Sequence, residues 1–547
     1  MRGEIIERAT NNYINSLKGV SPLPPVDKIR QDLFDVIRAE IKLENDGTSK
    51  DMRYKQIQDL PELAIAKIML FIYQIRNIRM TENSKPALAM YDEAQGIYRL
   101  NSYDDGFLRS RIRIFSPNIR LAEVNEIITI LSDKAPVVDL CQDQDLIFLN
   151  NGIFNYKTKT LSDFTPDIIA IAKSGINYNP NATNVIKQCP DGTTWDVESW
   201  MSELSTSPDV VNLLWQIAGA ILRNLVRWDK AVFFYNTNGC NGKGTFAELL
   251  KQLCGGHYAT MSMREFGTDF GLTPLIGAIA CICDENEVNA FQTVNAQFKA
   301  AVTGDNLSIN IKNKAPISYK FNGLIVQCFN SLPQMSDRTA SMYRRHLFVP
   351  FDSTFLGKER KYIKTEYMHD TEVLEYVVYK VLTLMPDYYE FDNPEECKNL
   401  MEIVKENNSP VRQFVSEFFN PCQFAWDLLP YPFLYDLFKE WFRRNSPSGK
   451  LLSKNTFVLE LKQIIAADYA DEWVVLTKRQ RSSGRMNKPE HLIYQYNLTN
   501  WGNAYFFSSI SRGNIDPYCT PRASELAEKY DGLFRVAATN NTTEPEE

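Results

Sequence analysis

A chain of 547 residues is too long for a single hydrophobic core and predicts about three or four domains. Its 44% apolar and 23% charged residues are ordinary for a soluble globular protein, and a net charge of −7 excludes a uniformly basic nucleic-acid coat while leaving room for local basic patches. No apolar run is long enough to predict a membrane span, and MRGEIIERATNNYINSL lacks the apolar centre of a signal peptide. Ten cysteines without a CxxC pair suit a reducing, cytoplasmic setting, with neither a disulfide framework nor a zinc module. The nearest two, Cys281 and Cys283, lie in an apolar run and read as core.

In chain order, residues 1–84 read as a helical region: a short helix over 1–18, a proline-rich connector GVSPLPPV, then IRQDLFDVIRAEI and ELAIAKIMLFIYQIRNI. Residues 85–194 change to short strands and turns, as in DLIFLNNGIFNYKTKTL, and predict a small mixed α/β domain. Residues 195–360 open with two amphipathic helices around Trp200 and Trp215 and continue into the strand VFFY. A helical connector over 361–425, a helix–helix–strand–loop–strand unit over 426–505 and a tail over 506–547 complete the chain; its last eleven residues, AATNNTTEPEE, are expected to be disordered.

After VFFY comes NTNGCNGKGTF, which departs twice from GxxxxGK[ST]: Thr237 holds the first Gly position and Gly244 the Ser/Thr position. Asn238-Gly239 alone would suit a β-hairpin turn. No second strand follows, however; Phe246, Leu249, Leu250 and Leu253 form a helical stripe, and Gly255 and Gly256 supply a stop. Strand, Gly-rich loop and helix together are what phosphate binding needs: backbone N–H groups of Asn238, Gly239, Cys240, Asn241, Gly242, Lys243, Gly244 and Thr245 toward the phosphates, with Lys243 at the β/γ oxygens. The ligand expected is ATP with Mg²⁺.

Such a loop predicts a later apolar strand ending in acids, and IGAIACICDENE supplies it: Asp284 to hold magnesium through water and Glu285 to polarise the attacking water. GLIVQCFNSLP ends another strand at Asn330, a residue suited to reading the γ-phosphate or to starting a turn before Pro333. Arg344 and Arg345 precede a strand, where one would serve in trans as an arginine finger or both would be surface charges.

The run NGKGTF, DENE, FKAAVTGDNLSINIKNK, CFNSLP and YRRHLFVPF resembles superfamily 3 helicases of the phage, plasmid and poxvirus primase-helicase branch. The layout is most similar to replication helicases of staphylococcal cassette chromosomes and pathogenicity islands. The resemblance covers about residues 85–360. It implies a multidomain α/β protein with a central three-layer AAA+ ATPase, an N-terminal helical and mixed region and a C-terminal winged helix. It further implies a homo-hexameric helicase translocating 3′ to 5′ on single-stranded or forked DNA, aided by a separate primase or polymerase. Members of this branch can carry NGKG, so Gly244 reads as a variant. Thr245, one residue late, is then the candidate magnesium ligand.

Two basic stretches suit DNA. KNKAPISYK carries Lys312, Lys314 and Lys320 between strands LSINI and ISYKF, a hairpin that the resemblance places in the ring channel. Residues 478–488 carry Lys478, Arg479, Arg481, Arg485 and Lys488 without an acid, in the wing of the C-terminal unit, with EWVVL and HLIYQYNL as the flanking strands. Four isolated histidines exclude a His-x-His nuclease, and Asp143 with Asp145 is a poor primase site. The rival class is an ATPase that remodels a protein partner.

Overall fold

The computed structural model describes residues 2–82, 84–101, 105–237, 239–286, 296–312, 316–332, 335, 339–446, 451–502 and 525–536. Asn238, Lys314 and the final eleven residues, each singled out above, lie outside the described residues. The chain divides into two compact units, Met1–Met401 and Glu402–Glu547. No helix among the described residues is long and apolar enough to cross a membrane.

The first unit begins with α1 (Arg2–Leu17), α2 (Val26–Asn45) and α3 (Glu62–Ile72), followed by β1 (Ile75–Arg79), β2 (Ala87–Asp92), β3 (Ile97–Leu100), α4 (Asp105–Phe115), α5 (Leu121–Lys134) and β4 (Val137–Asp139). Ile29, Leu33, Ile37 and Ile41 repeat every fourth residue and bury one stripe of α2. The sheet order is β3-β2-β1-β4, with β1 parallel to β4 and antiparallel to β2. Here the helical reading of IYQIRNI is corrected. Gln74 takes a positive φ of 33°, which no helix continues through, and IRNIR then pairs with both neighbours as a strand. Ile65 and Met69 of α3, Ile75 of β1, Met90 of β2 and Leu131 of α5 share one core. A boundary at 84/85 therefore cuts through packed side chains.

A three-stranded antiparallel sheet follows, β5 (Leu146–Leu149), β6 (Gly152–Asn155) and β7 (Thr160–Ser162), then the ribbon β8 (Lys187–Gln188) with β9 (Thr194–Trp195). The Asp143 carboxylate caps the N–H of Asp145 at 3.0 Å, and Asp145 accepts from the Tyr389 hydroxyl at 2.6 Å, so both acids have structural partners. Next come α6 (Val197–Glu203), capped by Asp196, and α7 (Pro208–Leu222). Rather than amphipathic, α7 is buried continuously from Leu213 to Leu222, because it runs inside the core.

The remaining elements of this unit are β10 (Ala231–Tyr235), α8 (Lys243–Cys254), β11 (Tyr258–Ala259), β12 (Ala280–Cys283), α9 (Ala296–Thr303), β13 (Asn306–Ile309), β14 (Ile317–Lys320), β15 (Leu324–Phe329), α10 (Ala340–Tyr343), β16 (His346–Pro350), α11 (Lys361–Thr365), α12 (Thr371–Tyr379) and α13 (Glu395–Asn408), on which the division falls. Five strands make a sheet of order β11-β12-β15-β10-β16, parallel throughout. Its central strands are almost wholly apolar, with Gln327 of β15 the buried polar exception, as sheets covered on both faces favour. Cys281 and Cys283 are buried in β12, as the sequence reading expects.

The second unit contains α14 (Pro410–Phe419), β17 (Leu428–Pro430), α15 (Tyr431–Asn445), α16 (Lys454–Asp468), β18 (Trp473–Val475), β19 (Gln480–Arg481), α17 (His491–Gln495), β20 (Lys529–Tyr530) and β21 (Gly532–Arg535). Aromatic side chains dominate its core: Phe414, Phe418, Phe438, Trp441 and Phe457 pack edge to face and stacked. The two helices and β18 form where expected, but the returning strand does not. HLIYQYNL starts the helix α17, since Leu492, Ile493 and Tyr496 fall on one helical face and Glu490 caps its N-terminus. β21, beyond the expected limit at 505, pairs with β18 and β17 instead.

Candidate functional site

The connection after β10 runs to the far edge of the sheet, at β11, whereas that after β15 crosses β10 to reach β16 on its other side. A crevice is expected outside the carboxyl ends of strands where connections diverge in this way, and the loop 236–242 lies there. Gly242 ends the loop at φ 88°, a conformation that favours glycine, and a Cβ there would stand 2.5 Å from Leu204 Cδ2. The helix that follows buries Phe246, Leu249, Leu250 and Leu253 completely, the stripe its sequence predicts, and stops at Gly255 in the left-handed region.

Lys243 opens α8 and is only 6% exposed. Its Nζ donates to the carbonyl of Asn236 at 3.3 Å, beneath the loop, and its N–H to Asn241 Oδ1 at 3.3 Å. Burial pulls its pKa below the ordinary lysine value. An ammonium held out of water against a carbonyl is costly, and an anion arriving over the loop relieves that cost.

Asp284 follows β12, two strands from β10, and its Oδ1 lies 2.6 Å from Lys251 Nζ. Burial works against the charge of Lys251, but the hydrogen bond and charge of Asp284, with Glu248 nearby, outweigh it and raise the lysine's pKa. Cys328, on the intervening β15, is pushed up to about 12, first by burial and then by the Asp284 charge, with Lys243 and Lys251 opposing. The two lysines and the aspartate thus all act electrostatically on one buried thiol. Glu285 is exposed beside them, and Asn330 is exposed at the end of β15. Asn286 ties the two strand ends together, donating to Gln327 Oε1 at 2.9 Å and the Cys328 carbonyl at 3.3 Å.

Sequence reasoning missed Lys251. The available signal was its position seven residues after Gly244, on the same face of a helix laid over β12. Thr245 is placed differently from Asp284: it lines a cleft of about 340 Å³ with Cys240, Phe355, Ile363 and Lys364, whose walls do not include the acidic strand end. The two residues expected to share magnesium thus do not share this cleft. Magnesium sites take one or two carboxylates and complete their shell with phosphate oxygens and water, so Asp284 at the strand end fits such an ion. With Asp284 already bound to Lys251, a water-mediated contact leaves that pair intact.

Arg344 and Arg345 precede β16, and the Ala231 N–H at the start of β10 donates to the Arg345 carbonyl at 2.7 Å. They therefore stand at the amino edge of the sheet, a full strand (roughly 17 Å) from the loop of the same chain. The Arg345 guanidinium is held by Ser341, at 2.6 Å to both its carbonyl and hydroxyl oxygens. β13 and β14 form the expected hairpin, Asn306 opposite Lys320 and Ile309 opposite Ile317, with exposed Lys312 toward its tip and Lys320 at its base.

In the second unit the basic loop is less free than its sequence suggests. Arg479 meets Asp531 at 3.2 Å, Arg481 lies 3.9 Å from Glu528, and the Arg485 guanidinium turns inward over Phe534, 5.0 Å from the ring centre. Lys478 and Lys488 remain exposed. The acids come from the returning segment before β21.

Residues 234–345 match the model of a family of unknown function (DUF5906), and residues 406–503 match one described as poxvirus D5 protein-like. Replication protein E1 of human papillomavirus type 41 is 26% identical over 114 residues, which are 21% of this chain and 18% of the viral protein. The putative helicase 022R of Frog virus 3 (isolate Goorha) is 24% identical over 277 residues, 45% of this chain and 28% of that protein. The chain thus spans less than a third of either relative. Among solved structures, the apo C-terminal region of NrS-1 is similar at 14% identity and a TM-score of 0.43, over 86% of this chain and 99% of the other.

Proposed function

We propose that the chain is an ATP-dependent DNA helicase of the superfamily 3, AAA+ type, which replicates a mobile genetic element as a ring hexamer moving 3′ to 5′ on single-stranded DNA. Within that type, the staphylococcal cassette and pathogenicity-island helicases are its proposed kin, and a separate primase or polymerase its proposed partner. The observation that carries the reading is the desolvated Lys243 ammonium under a glycine loop at the carboxyl edge of a parallel sheet, with acidic residues ending a strand two places away. Similarity to a replication protein and a putative helicase supports the DNA-directed part.

Lys243 and the N–H groups opening α8 hold and neutralise the β/γ-phosphate oxygens. Glu285, in solvent at the strand end, orients and polarises the attacking water, and Asn330 sits at the neighbouring strand end to fix it. Magnesium, when bound with nucleotide, would neutralise phosphate charge, held by Asp284 through water. Because Arg344 and Arg345 lie at the opposite sheet edge, either can serve only a neighbouring subunit's nucleotide, and this supports a ring. Lys312 and Lys320 on the hairpin grip the strand, and the second unit, read as a winged helix, tethers the duplex through Lys478 and Lys488.

The deciding experiment is ATP hydrolysis with and without single-stranded DNA, for the native chain and Lys243→Ala. DNA stimulation that depends on Lys243 supports the helicase. Lys243-dependent hydrolysis indifferent to DNA replaces it with a protein-remodelling ATPase.

A further inference from the structure

The cleft that Thr245 and Phe355 line has no role so far. Its outer wall is the segment after β16, stitched to the loop by a 2.7 Å hydrogen bond from the Phe355 N–H to the Cys240 carbonyl. Lys358, Arg360, Lys361 and Lys364 line it against a single acid, Glu359, and Arg360 is neutralised by Glu203. At about 340 Å³ it falls within the roughly 300–1,000 Å³ of small-molecule pockets.

Lys364, on α11, stands at the point where the loop departs from its usual pattern. A Cβ placed on Gly244 would meet open space except for Lys364 Nζ at 3.5 Å. Neither backbone conformation nor crowding by the rest of the chain requires glycine at 244. The lysine ammonium lies next to the place where a GK[ST] loop puts its hydroxyl. It makes no hydrogen bond or ion pair among the described residues, and with Lys243 it puts two cations at the positive end of α8.

We propose that Lys364 is a second phosphate-binding cation, matched to Gly244, and that the nucleotide's phosphate chain lies between Lys243 and Lys364 at the mouth of this cleft. The proposal rests on the reading of the loop as a nucleotide site. A serine hydroxyl at 244 would stand beside that ammonium, so with glycine there the lysine takes the hydroxyl's place in holding phosphate.

The test is calorimetric binding of ADP, in EDTA and in magnesium, to the native chain, Lys243→Ala, Lys364→Met, Lys364→Arg and Gly244→Ser/Lys364→Met. Lys364→Met should weaken ADP about tenfold or more in EDTA, the worth of one charge-assisted hydrogen bond. Lys364→Arg should recover most of the loss. Adding Gly244→Ser should restore affinity only with magnesium present. Lys364 is exposed, so the ligand-free melting temperature should not move, and ADP should raise it less in Lys364→Met than in the native chain. Native ADP affinity in Lys364→Met, alongside its loss in Lys243→Ala, would overturn the role of Lys364 and leave the site standing. If the native chain does not bind ADP, or Lys243→Ala binds it normally, the site reading itself falls, and this inference with it.

Discussion

The loop at Lys243 and the basic loop at 478–488 were both read as charged sites from contiguous residues, yet the fold treats them in opposite ways. Lys243 is buried and its ammonium faces only a backbone carbonyl among the described partners. Of the wing arginines, Arg479 and Arg481 are exposed and already face carboxylates that lie about fifty positions later in the chain. Desolvation separates the two cases. A buried ammonium against a carbonyl stores interaction energy for a ligand, whereas exposed arginines beside acids must exchange one partner for another, at little net gain.

The sharpest way to break this contrast is Lys243→Ala. Hydrolysis should fall at least about a hundredfold, the scale of losing one preorganised charge contact at a reacting phosphate, while the melting temperature holds or rises because a buried charge has gone. Steady-state ATPase and thermal melting check both halves. Glu285→Gln should come next: hydrolysis reduced by about 10²–10⁴-fold with ATP affinity unchanged, measured by turnover against equilibrium binding. Loss of affinity would assign Glu285 to the phosphates or their metal instead.

A stability effect tests the wing scaffold. Glu490, fully buried, accepts from the N–H groups of Ala425 at 2.8 Å and of Trp426 and Leu492 at 3.4 Å. Burial pushes its pKa up to about 7 from 4.5, more than those N–H groups and Arg535 pull it down. The folded form thus binds the proton more tightly than the unfolded one. The stability this brings is fully present below about pH 4.5 and is lost as pH rises through about 7, by ~3 kcal/mol. Glu490→Gln should flatten that slope in chemical denaturation of the second unit between those pH values.

The smallest expected effect is at the wing surface. Neutralising Glu528 and Asp531 to Gln and Asn should free Arg481 and Arg479 and tighten DNA binding by only a few fold. The slope of log affinity against log salt should rise by at most about two units, for two added phosphate contacts. No change in either quantity would mean that these arginines do not touch DNA.

Local chemistry made much of the scaffold around the Lys243 loop legible. The stripe Phe246, Leu249, Leu250, Leu253 forces a helix, Gly255 ends it, and the largely apolar runs ending at Cys283 and Phe329 are strands because both faces of the sheet are covered. The hairpin at 306–320 was readable for the same reason, two strands around a short turn. Partners and directions were not readable, because they depend on which elements lie side by side. The pairing of Asp284 with Lys251, thirty-three positions earlier, the turn of Thr245 toward the Phe355 cleft and the placement of Arg344 and Arg345 at the opposite sheet edge all follow from the strand order β11-β12-β15-β10-β16. In the second unit HLIYQYNL has the composition of a strand, yet Leu492, Ile493 and Tyr496 bury as a helix because Gly532–Arg535 fills the sheet position. Sequence alone determined where charge and apolar surface sit along the chain. Tertiary structure decided which charges were left for a ligand, since burial and pairing belong to neighbours far apart in sequence.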